Sequence, residues 1–296
     1  MSESRPWKVS LHGGHSGAYC DHAVGTLREV ITAAAEFGYQ TFGITEHAPR
    51  YHERYLYDEE HALGWNLSTL QEKFNAYARD VMELSEEFSG RLVVLCGFET
   101  EAVPKESYAE TMLELRRKYH FDYMAGSVHH VYDTTIDGPP PLYAKAIELA
   151  GSVEKLAVQY YLDLADMVRT LRPEVVTHFD LVRRNAPTPG SVETLAVREA
   201  ALAALEVVRA NKGILDLNTA GIRKGLGCPY PRPWLVREAH SRGIPFCFGD
   251  DSHGPAQVGK DILPARDYLL ANGVDSITIL TREHGRVVRK KIPLKD

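Results

Sequence analysis

The chain repeats one pattern along almost its whole length: an amphipathic helix, a short apolar run, and then a polar residue. Apolar residues at helical spacing predict helices at 24–38, 67–88, 108–118, 153–171, 191–211, 232–242 and 263–271. The short apolar runs between them predict buried strands at 8–11, 41–45, 91–97, 121–126, 174–177, 213–221, 244–249 and 276–280. Three consecutive prolines and acidic residues predict a surface loop at 131–143, Ser191 is a candidate cap of the helix 191–211, and 286–295 is expected to be a basic tail. Strands that alternate with helices run parallel, so this pattern predicts an open doubly wound sheet or a closed barrel.

The polar residues that follow the strands decide between these two folds. They lie at or just past the carboxyl ends of seven predicted strands, and they are His12, Glu46, His47, Glu99, His129, His178, Asn218, Asp251 and His253. A β/α barrel assembles its active site at this end of its strands, whereas an open sheet uses one switch point fed by fewer strands. No GxGxxG or GxxxxGK[ST] motif follows the first strand. We therefore expect one closed or nearly closed barrel, a single domain over 1–296.

The opening stretch, residues 10–22, holds three histidines. His12, His15 and His22 lie within eleven residues and are separated by glycines, as if the backbone bends closely around something. A surface loop or a purification tag are the alternatives, although a tag is normally a continuous run of histidines at a terminus. Imidazole is a favoured ligand of zinc, iron and manganese, so this stretch is a candidate metal loop.

Composition limits the classes of partner. The formal charge of −6 disfavours nucleic acid, although one or two arginines can still hold a small phosphate ester. No apolar run approaches the roughly 18 residues that cross a bilayer, and the polar start 1–6 does not resemble a signal peptide. The four cysteines form no CxxC pair, which predicts reduced thiols in a cytoplasmic protein. Of these, Cys20 is the one with a plausible place near a metal.

Each polar residue taken alone has an ordinary explanation. An acidic residue after a strand is more often a helix cap, and a lone buried histidine is more often hydrogen-bonded in a core. Six or more histidines with two carboxylates at one rim are costly to bury without a cation. Together they predict a metal site.

Seven segments carry a resemblance to a known family. In chain order they span 15–23, 43–49, 97–100, 121–129, 177–181, 217–223 and 249–253, and they include His15-Ser-Gly-Ala-Tyr-Cys-Asp-His-Ala23, Gly43-Ile-Thr-Glu-His-Ala-Pro49 and Gly249-Asp-Asp-Ser-His253. The chain resembles the PHP (polymerase and histidinol phosphatase) superfamily, in particular its monofunctional histidinol-phosphate phosphatases. The segment Asn218-Thr-Ala-Gly-Ile-Arg223 is the most telling for that branch. The resemblance implies a distorted (β/α)7 TIM-like barrel.

The resemblance also implies two or three divalent metal ions, Zn, Fe or Mn. Its implied ligands are His12 and His15 with Glu99 and Asp251 for the first ion, Glu99, His129 and His178 for the second, and His22, His47 and His253 for the third. Glu99 would bridge two ions, and a shared hydroxide would attack phosphorus. Arg223 is the implied phosphate clamp, with Asn218, Lys224 and Arg183 as further substrate-binding candidates. Asp180 and His253 are candidates for protonating the leaving alcohol, beside Glu99 and Asp251 in the catalytic set.

One departure from the family concerns His12. The family opens with His-x-His, whereas here Gly13 occupies the first position and His12 is displaced by one residue. Adjacent residues of a strand point to opposite faces, so the shift alone would turn the imidazole away. Either Gly13 and Gly14 form a bulge that brings His12 back, which we favour, or the ligand is lost. Asp250, where the family usually has a small residue, is a second departure and a candidate ligand or supporting contact.

The expected activity is hydrolysis of a phosphate monoester, L-histidinol phosphate, to L-histidinol and inorganic phosphate in histidine biosynthesis. The alternatives are the same chemistry on a nucleotide or sugar phosphate, because substrate loops vary on a shared barrel, and a metal-dependent amidohydrolase. The insert 49–64, with Tyr51, Tyr55, Tyr57 and the adjacent Trp65, is expected to form part of the substrate wall. The expected partner is this small ester, without nucleic acid or membrane; the oligomeric state stays open.

Overall fold

Seven short parallel strands form the centre of the protein, in a computed structural model that describes residues 5–295. The strands in chain order are β1 (Val9–Ser10), β2 (Thr41–Ile44), β3 (Val93–Glu99), β4 (Tyr123–Gly126), β5 (His130–Val131), β6 (Thr134–Thr135), β7 (Val175–Val176), β8 (Ile214–Asn218), β9 (Phe246–Gly249), β10 (Ser276–Glu283) and β11 (Arg286–Pro293). The central sheet has the order β1-β2-β3-β4-β7-β8-β9, and each neighbouring pair is parallel. This is the strand order of a barrel, because each strand pairs with the next one of the sheet along the chain.

The first and last strands of the sheet close on each other. Just past β1, the Leu11 N–H donates to the carbonyl of Phe248 in β9 at 2.8 Å, and the Asp251 N–H donates to the His12 carbonyl at 2.9 Å. The predicted (β/α)7 barrel is therefore confirmed in a nearly closed form, and all seven carboxyl ends face one side.

Within residues 5–295, ten α-helices connect the strands. They are α1 (Leu27–Phe37), α2 (Asp58–Ala62), α3 (Leu67–Glu87), α4 (Tyr108–Tyr119), α5 (Pro140–Ala150), α6 (Val153–Leu171), α7 (Leu195–Ala210), α8 (Ala220–Arg223), α9 (Pro233–Ser241) and α10 (Ile262–Ala271). Helix α1 shows the local logic: Thr26 and Glu29 form a capping box, Gly38 ends the helix with φ +87°, and Leu27, Val30, Ile31 and Ala34 are buried. The apolar face packs on the barrel, as its spacing predicts.

The structure corrects three local predictions. The segment 131–143, predicted as a surface loop, contains the β5–β6 hairpin and the start of α5, whose consecutive prolines occupy the first turn, where proline costs no hydrogen bond. The cap of α7 is Thr194 rather than Ser191. The predicted basic tail 286–295 is mostly strand β11, antiparallel to β10. Strand β10 therefore lies outside the central sheet, and its hairpin packs at the amino-terminal end of the barrel, where Arg282 pairs with Asp122 at 2.6 Å.

Among residues 5–295, no helix is both long and apolar enough to span a membrane. The four cysteines, all within this range, are free thiols.

Tyr123 fills the barrel interior where two glycines leave room. Its hydroxyl donates to the Leu11 carbonyl at 2.8 Å, and a Cβ placed on Gly43 would lie 1.9 Å from that hydroxyl, while one on Gly97 would lie 2.7 Å from the ring. Both strands β2 and β3 thus need glycine here, since no side chain fits against the ring.

Replacing Gly43 by alanine is expected to lower the free energy of unfolding by about 1–3 kcal/mol, because the added methyl group overpacks the interior. Chemical denaturation measures this change. Gly90→Ala is the matched control, since a Cβ at Gly90 meets nothing within 4 Å. Equal stability of the two variants would show that Tyr123 moves aside without cost.

Candidate metal centre

Glu99, the last residue of β3, lies at the centre of a ring of histidines. Its Oε1 lies 3.3 Å from His12 Nε2, 3.2 Å from His129 Nε2 and 3.0 Å from His178 Nε2. Its Oε2 lies 3.0 Å from His47 Nδ1 and 3.8 Å from His15 Nε2. Burial raises the pKa of this carboxyl group, but the charges of His12, His129 and His47 outweigh burial and hold the pKa well below its usual range. Glu99 is therefore an anion that five imidazoles share.

The opening loop bends so that His12 faces this ring. Strand β1 ends at Ser10, and Gly13 and Gly14 then adopt φ values of +139° and +79°, which a residue with a side chain rarely adopts. A Cβ on Gly13 would also lie 2.5 Å from Asp250 Oδ1. Because the chain leaves the extended conformation here, the alternation of faces no longer applies, and His12 lies on the same side as His15.

A second group of histidines lies beside the first, toward solvent. The ring of His15 stacks on His253 with centroids 4.2 Å apart and on His47 at 4.4 Å, and His22 stacks on His253 at 4.8 Å. Cys20 Sγ lies 3.5 Å from both nitrogens of His22. Ligand atoms of His15, Cys20, His47 and His253 all lie within 4.8 Å of one another, as do those of His12, His15 and Asp251, and those of His12, Glu99 and His178.

Several imidazole nitrogens at this site have no hydrogen-bond partner although they are buried. Within the described range 5–295 they are His12 Nε2, His15 Nε2, His178 Nδ1 and both nitrogens of His47. Burial lowers the pKa of His15 and of His253 well below the usual range, and neighbouring imidazoles lower it further, so both rings are neutral and offer a lone pair. Buried polar atoms without partners are rare. Neutral imidazoles around carboxylates are the donor set of Zn, Fe and Mn, so these residues fit divalent metal ions.

A cavity of about 930 Å³ opens above the histidines. Its floor includes Glu99, His129, His178, Asp251 and His253. Its wall carries six basic side chains, Arg54, Lys145, Arg184, Arg223, Lys224 and Lys260, and several acidic ones, among them Asp58, Glu59, Asp133 and Asp137. This size suits a small ligand, and the mixed charge suits one that bears both an anionic and a cationic group.

The chain matches the family model described as PHP domain over residues 12–220. It belongs to the PHP domain family. It is 34% identical to a Schizosaccharomyces pombe protein named "Probable histidinol-phosphatase", over 93% of this chain and 90% of that protein.

Two solved structures share the PHP fold with this chain. A structure from Listeria monocytogenes matches it with a TM-score of 0.77 and 22% identity, over 87% of this chain and 99% of that one. The structure of histidinol phosphate phosphatase from Lactococcus lactis, which contains Zn, L-histidinol and phosphate, matches with a TM-score of 0.72 and 20% identity, over 95% and 99% of the two chains.

Of the substrate-binding candidates in this PHP barrel, Arg223 and Lys224 line the cavity. The terminal nitrogens of Arg223 donate to Thr219 Oγ1 at 3.0 Å and to the carbonyls of Asp250 and Asp251 at 2.5 and 2.9 Å. Two of its five N–H groups therefore have no partner among the described residues. Arg223 therefore also fixes the chain at Asp251. Lys224 is exposed, and among residues 5–295 its ammonium group makes no hydrogen bond.

Three predicted residues lie away from the cavity. Asp180 is fully buried, where it accepts from the backbone N–H and Nε of Arg232 at 3.1 and 3.0 Å and pairs with Arg183 at 3.0 Å. Arg183 also donates to the Pro229 carbonyl at 2.7 Å, so this cluster joins two loops instead of facing a ligand. Asn218 lies beneath the histidines and donates to Asp251 Oδ2 at 3.3 Å. Arg184, which follows Arg183 in the chain, does line the cavity, although it was not among the predicted residues.

Three carboxylates contact histidines of the candidate metal centre at Nδ1, the ring nitrogen that faces away from Glu99. Glu46 lies 3.2 Å from His15 Nδ1, Glu101 lies 2.9 Å from His129 Nδ1, and Asp216 lies 2.8 Å from His12 Nδ1. Such contacts fix which ring nitrogen carries the proton. Neither Glu101 nor Asp216 was among the predicted site residues. The sequence offered a signal for each, because Asp216 is an acidic residue within an apolar strand and Glu101 lies two residues past Glu99.

Of the remaining candidates, some line the cavity and others have contacts elsewhere. Asp250 points away from the histidines, and its carboxylate accepts from the Tyr39 hydroxyl and the Gly259 N–H, both at 2.9 Å. In the insert 49–64, Tyr55 and Tyr57 line the cavity. Tyr51 instead reaches Gln71 at 3.5 Å, and the ring of Trp65 lies under Lys73 at 4.0 Å.

Proposed function

We propose that this protein is a metal-dependent phosphomonoesterase that hydrolyses L-histidinol phosphate to L-histidinol and inorganic phosphate. The observation that carries the proposal is a buried Glu99 shared by five imidazoles at the floor of a cavity of about 930 Å³ with basic walls. The names of the relatives support the choice of ester.

The chain would hold two or three ions of Zn, Fe or Mn with the histidines and carboxylates of the floor. One ion would be held by His12, His15, Glu99 and Asp251, a second by Glu99, His129 and His178, and a third by His22, His47 and His253. When bound, such ions polarise phosphoryl oxygens and lower the pKa of a coordinated water.

The side chains of the wall would orient the ester. Lys224, Arg184 and the free N–H groups of Arg223 surround the floor with positive charge, which favours a phosphate group there. Of the acidic residues of the wall, Asp133 pairs with Arg54 at 3.4 Å and Asp137 pairs with Arg184 at 3.3 Å. The carboxylates of Asp58 and Glu59, also on the wall, would favour the cationic amine of histidinol. A sugar phosphate lacks that cation, so the charge pattern favours the amino alcohol ester.

Of the two residues predicted to protonate the leaving alcohol, His253 is the one that lines the cavity. Its ring is neutral there, so it would have to take up a proton before it could donate one, and it could not do so while holding an ion. It lies on the cavity floor, and its Nδ1 lies 3.0 Å from the Asp251 carbonyl. Asp180 cannot serve, because its carboxylate is engaged by Arg232 and Arg183 away from the cavity.

Phosphate release from purified, metal-loaded protein tests the proposal. L-histidinol phosphate is compared with a sugar phosphate, a nucleoside monophosphate and p-nitrophenyl phosphate, and the expected order has the highest kcat/KM for L-histidinol phosphate. A higher kcat/KM for another ester would replace the substrate but keep the reaction. Absence of hydrolysis with Zn, Mn and Fe each supplied would overturn the proposal.

Replacing Lys224 by methionine is expected to raise KM for the phosphate ester by roughly 10-fold, with a smaller change in kcat, because a charge-assisted hydrogen bond contributes about 1.5–3 kcal/mol. Initial-rate kinetics measure the two constants. Lys155→Met, an exposed lysine in the first turn of α6, is the control and should match the unmodified protein. An unchanged KM in Lys224→Met would remove this residue from the phosphate site.

A further inference from the structure

Asp216 is a buried carboxylate of β8 that connects two parts of the barrel mouth. Its side chain has no exposed surface. Oδ2 lies 2.8 Å from His12 Nδ1 in the opening loop, and Oδ1 accepts the backbone N–H of His178 at 2.6 Å. Asn218 also donates to Oδ2, at 3.1 Å. Each oxygen of Asp216 therefore accepts from a different element around the candidate metal centre.

The contact with His12 determines what that imidazole presents to the centre. To bind a metal, an imidazole must give up one proton, which leaves one N–H group and one lone pair, and the partner of one nitrogen decides which nitrogen keeps the proton. The carboxylate of Asp216 can only accept, and at 2.8 Å it lies closer to His12 Nδ1 than the Asn218 amide nitrogen does at 3.2 Å, so it places the proton of His12 on Nδ1. The lone pair then lies on Nε2, which is buried without a hydrogen bond and lies 3.3 Å from Glu99.

We propose that Asp216 is a positioning residue that holds the displaced His12 as a metal ligand. The loop from 11 to 14 leaves β1 after Ser10 and turns through two glycines with positive φ, so the strand no longer fixes the direction of the His12 side chain. Asp216 supplies that direction from β8, which is separated from β1 by β9 alone in the closed sheet.

The adjacent strand makes room for this contact. Gly249, at the end of β9, has no side chain, and a Cβ there would lie 2.6 Å from Asp216 Oδ2 and 3.0 Å from the His12 Cβ. The contact between Asp216 of β8 and His12 after β1 therefore depends on a glycine at position 249 of β9.

The substitution Asp216→Asn tests the proposal because it keeps the size of the side chain. The His178 N–H needs the amide oxygen, so the amide NH₂ group faces His12 Nδ1. An NH₂ group that donates to Nδ1 uses the Nδ1 lone pair and leaves the ring proton on Nε2, so Nε2 loses the lone pair that a metal needs. We expect the apparent affinity for Zn²⁺, measured by competition with a chelating dye, to fall about 10–100-fold.

Two controls separate positioning from a general loss of structure. Asp163→Asn is the matched control, a buried aspartate of α6 that pairs with Lys105 and Gln159, and it should keep the Zn²⁺ affinity of the unmodified protein. His12→Ala addresses the same contact from its other end and keeps the test valid if Asp216→Asn does not fold; it should lose at least as much affinity.

In the double variant His12→Ala with Asp216→Asn, no further loss of affinity is expected, since Asp216 acts through His12. A further loss of 10-fold or more would show that Asp216 acts through His178 instead, and would overturn the proposal. Unchanged Zn²⁺ affinity in either single variant would also overturn it. The inference rests on the proposed metal dependence and not on the ester, so a protein that binds Zn²⁺ but hydrolyses nothing would overturn the proposed function alone.

Discussion

Replacing Glu99 by glutamine is expected to reduce kcat at least about 10³-fold and to release metal, the largest effect of a single substitution in this protein. Such a factor corresponds to about 4 kcal/mol of barrier, within the several kcal/mol that metal ions contribute to charge stabilisation. Both oxygens of Glu99 face imidazoles, at 3.0–3.8 Å. An amide removes the negative charge and directs an NH₂ group at nitrogens that need their lone pairs.

Metal content by mass spectrometry and turnover of L-histidinol phosphate measure this effect together. Glu174→Gln is the matched control, because Glu174 forms a partly exposed ion pair with Arg116 at 2.6 Å and lies outside the cavity lining. It should keep both metal and turnover. Preserved turnover in Glu99→Gln would show that Glu99 is not shared between ions, and full metal content with lost turnover would restrict its role to the reaction itself.

The residues at strand ends were predictable because one geometric rule connects sequence to site. In a parallel barrel every strand delivers its carboxyl end to the same rim, so Glu99, His129 and His178 could be grouped before any distance was known. The structure places all three together, with Glu99 Oε1 within 3.2 Å of both imidazoles. The rule needs only strand positions and chain direction, which apolar runs reveal.

Residues outside this rule were predicted less well, because their positions depend on contacts distant along the chain. Arg183 and Arg184 are adjacent, and only the packing of Asp180, Arg183 and Arg232 decides that Arg184 lines the cavity. Asp216 contacts His12 across 204 positions. Strand β11 is a similar case. Four of its eight residues are basic, none of the eight is buried, and they pair with β10 alone among the described strands, so composition alone resembled a tail.

Removing the metal ions by chelation is expected to abolish turnover and to lower the unfolding midpoint by roughly 10 °C. A ligand at about 1,000 times its Kd stabilises the folded state by about 4 kcal/mol, and each kcal/mol shifts the midpoint of a chain of this size by about 2–4 °C. The ring of His15 stacks on His253 at 4.2 Å and on His47 at 4.4 Å, and among residues 5–295 buried nitrogens of His12, His15 and His47 make no hydrogen bond, so these groups would depend on cations for partners. These unmet contacts destabilise the barrel mouth.

Calorimetry of the stripped and the reloaded protein checks the expected shift, and Zn, Mn or Fe added back should restore both the midpoint and the activity. The Glu99→Gln variant is an internal control: because its centre binds metal weakly, chelation should shift its midpoint much less. A stripped protein with an unchanged midpoint would mean that the histidines are satisfied without cations. The buried imidazoles would then be structural, and the carboxylates behind them would serve the fold instead of a metal.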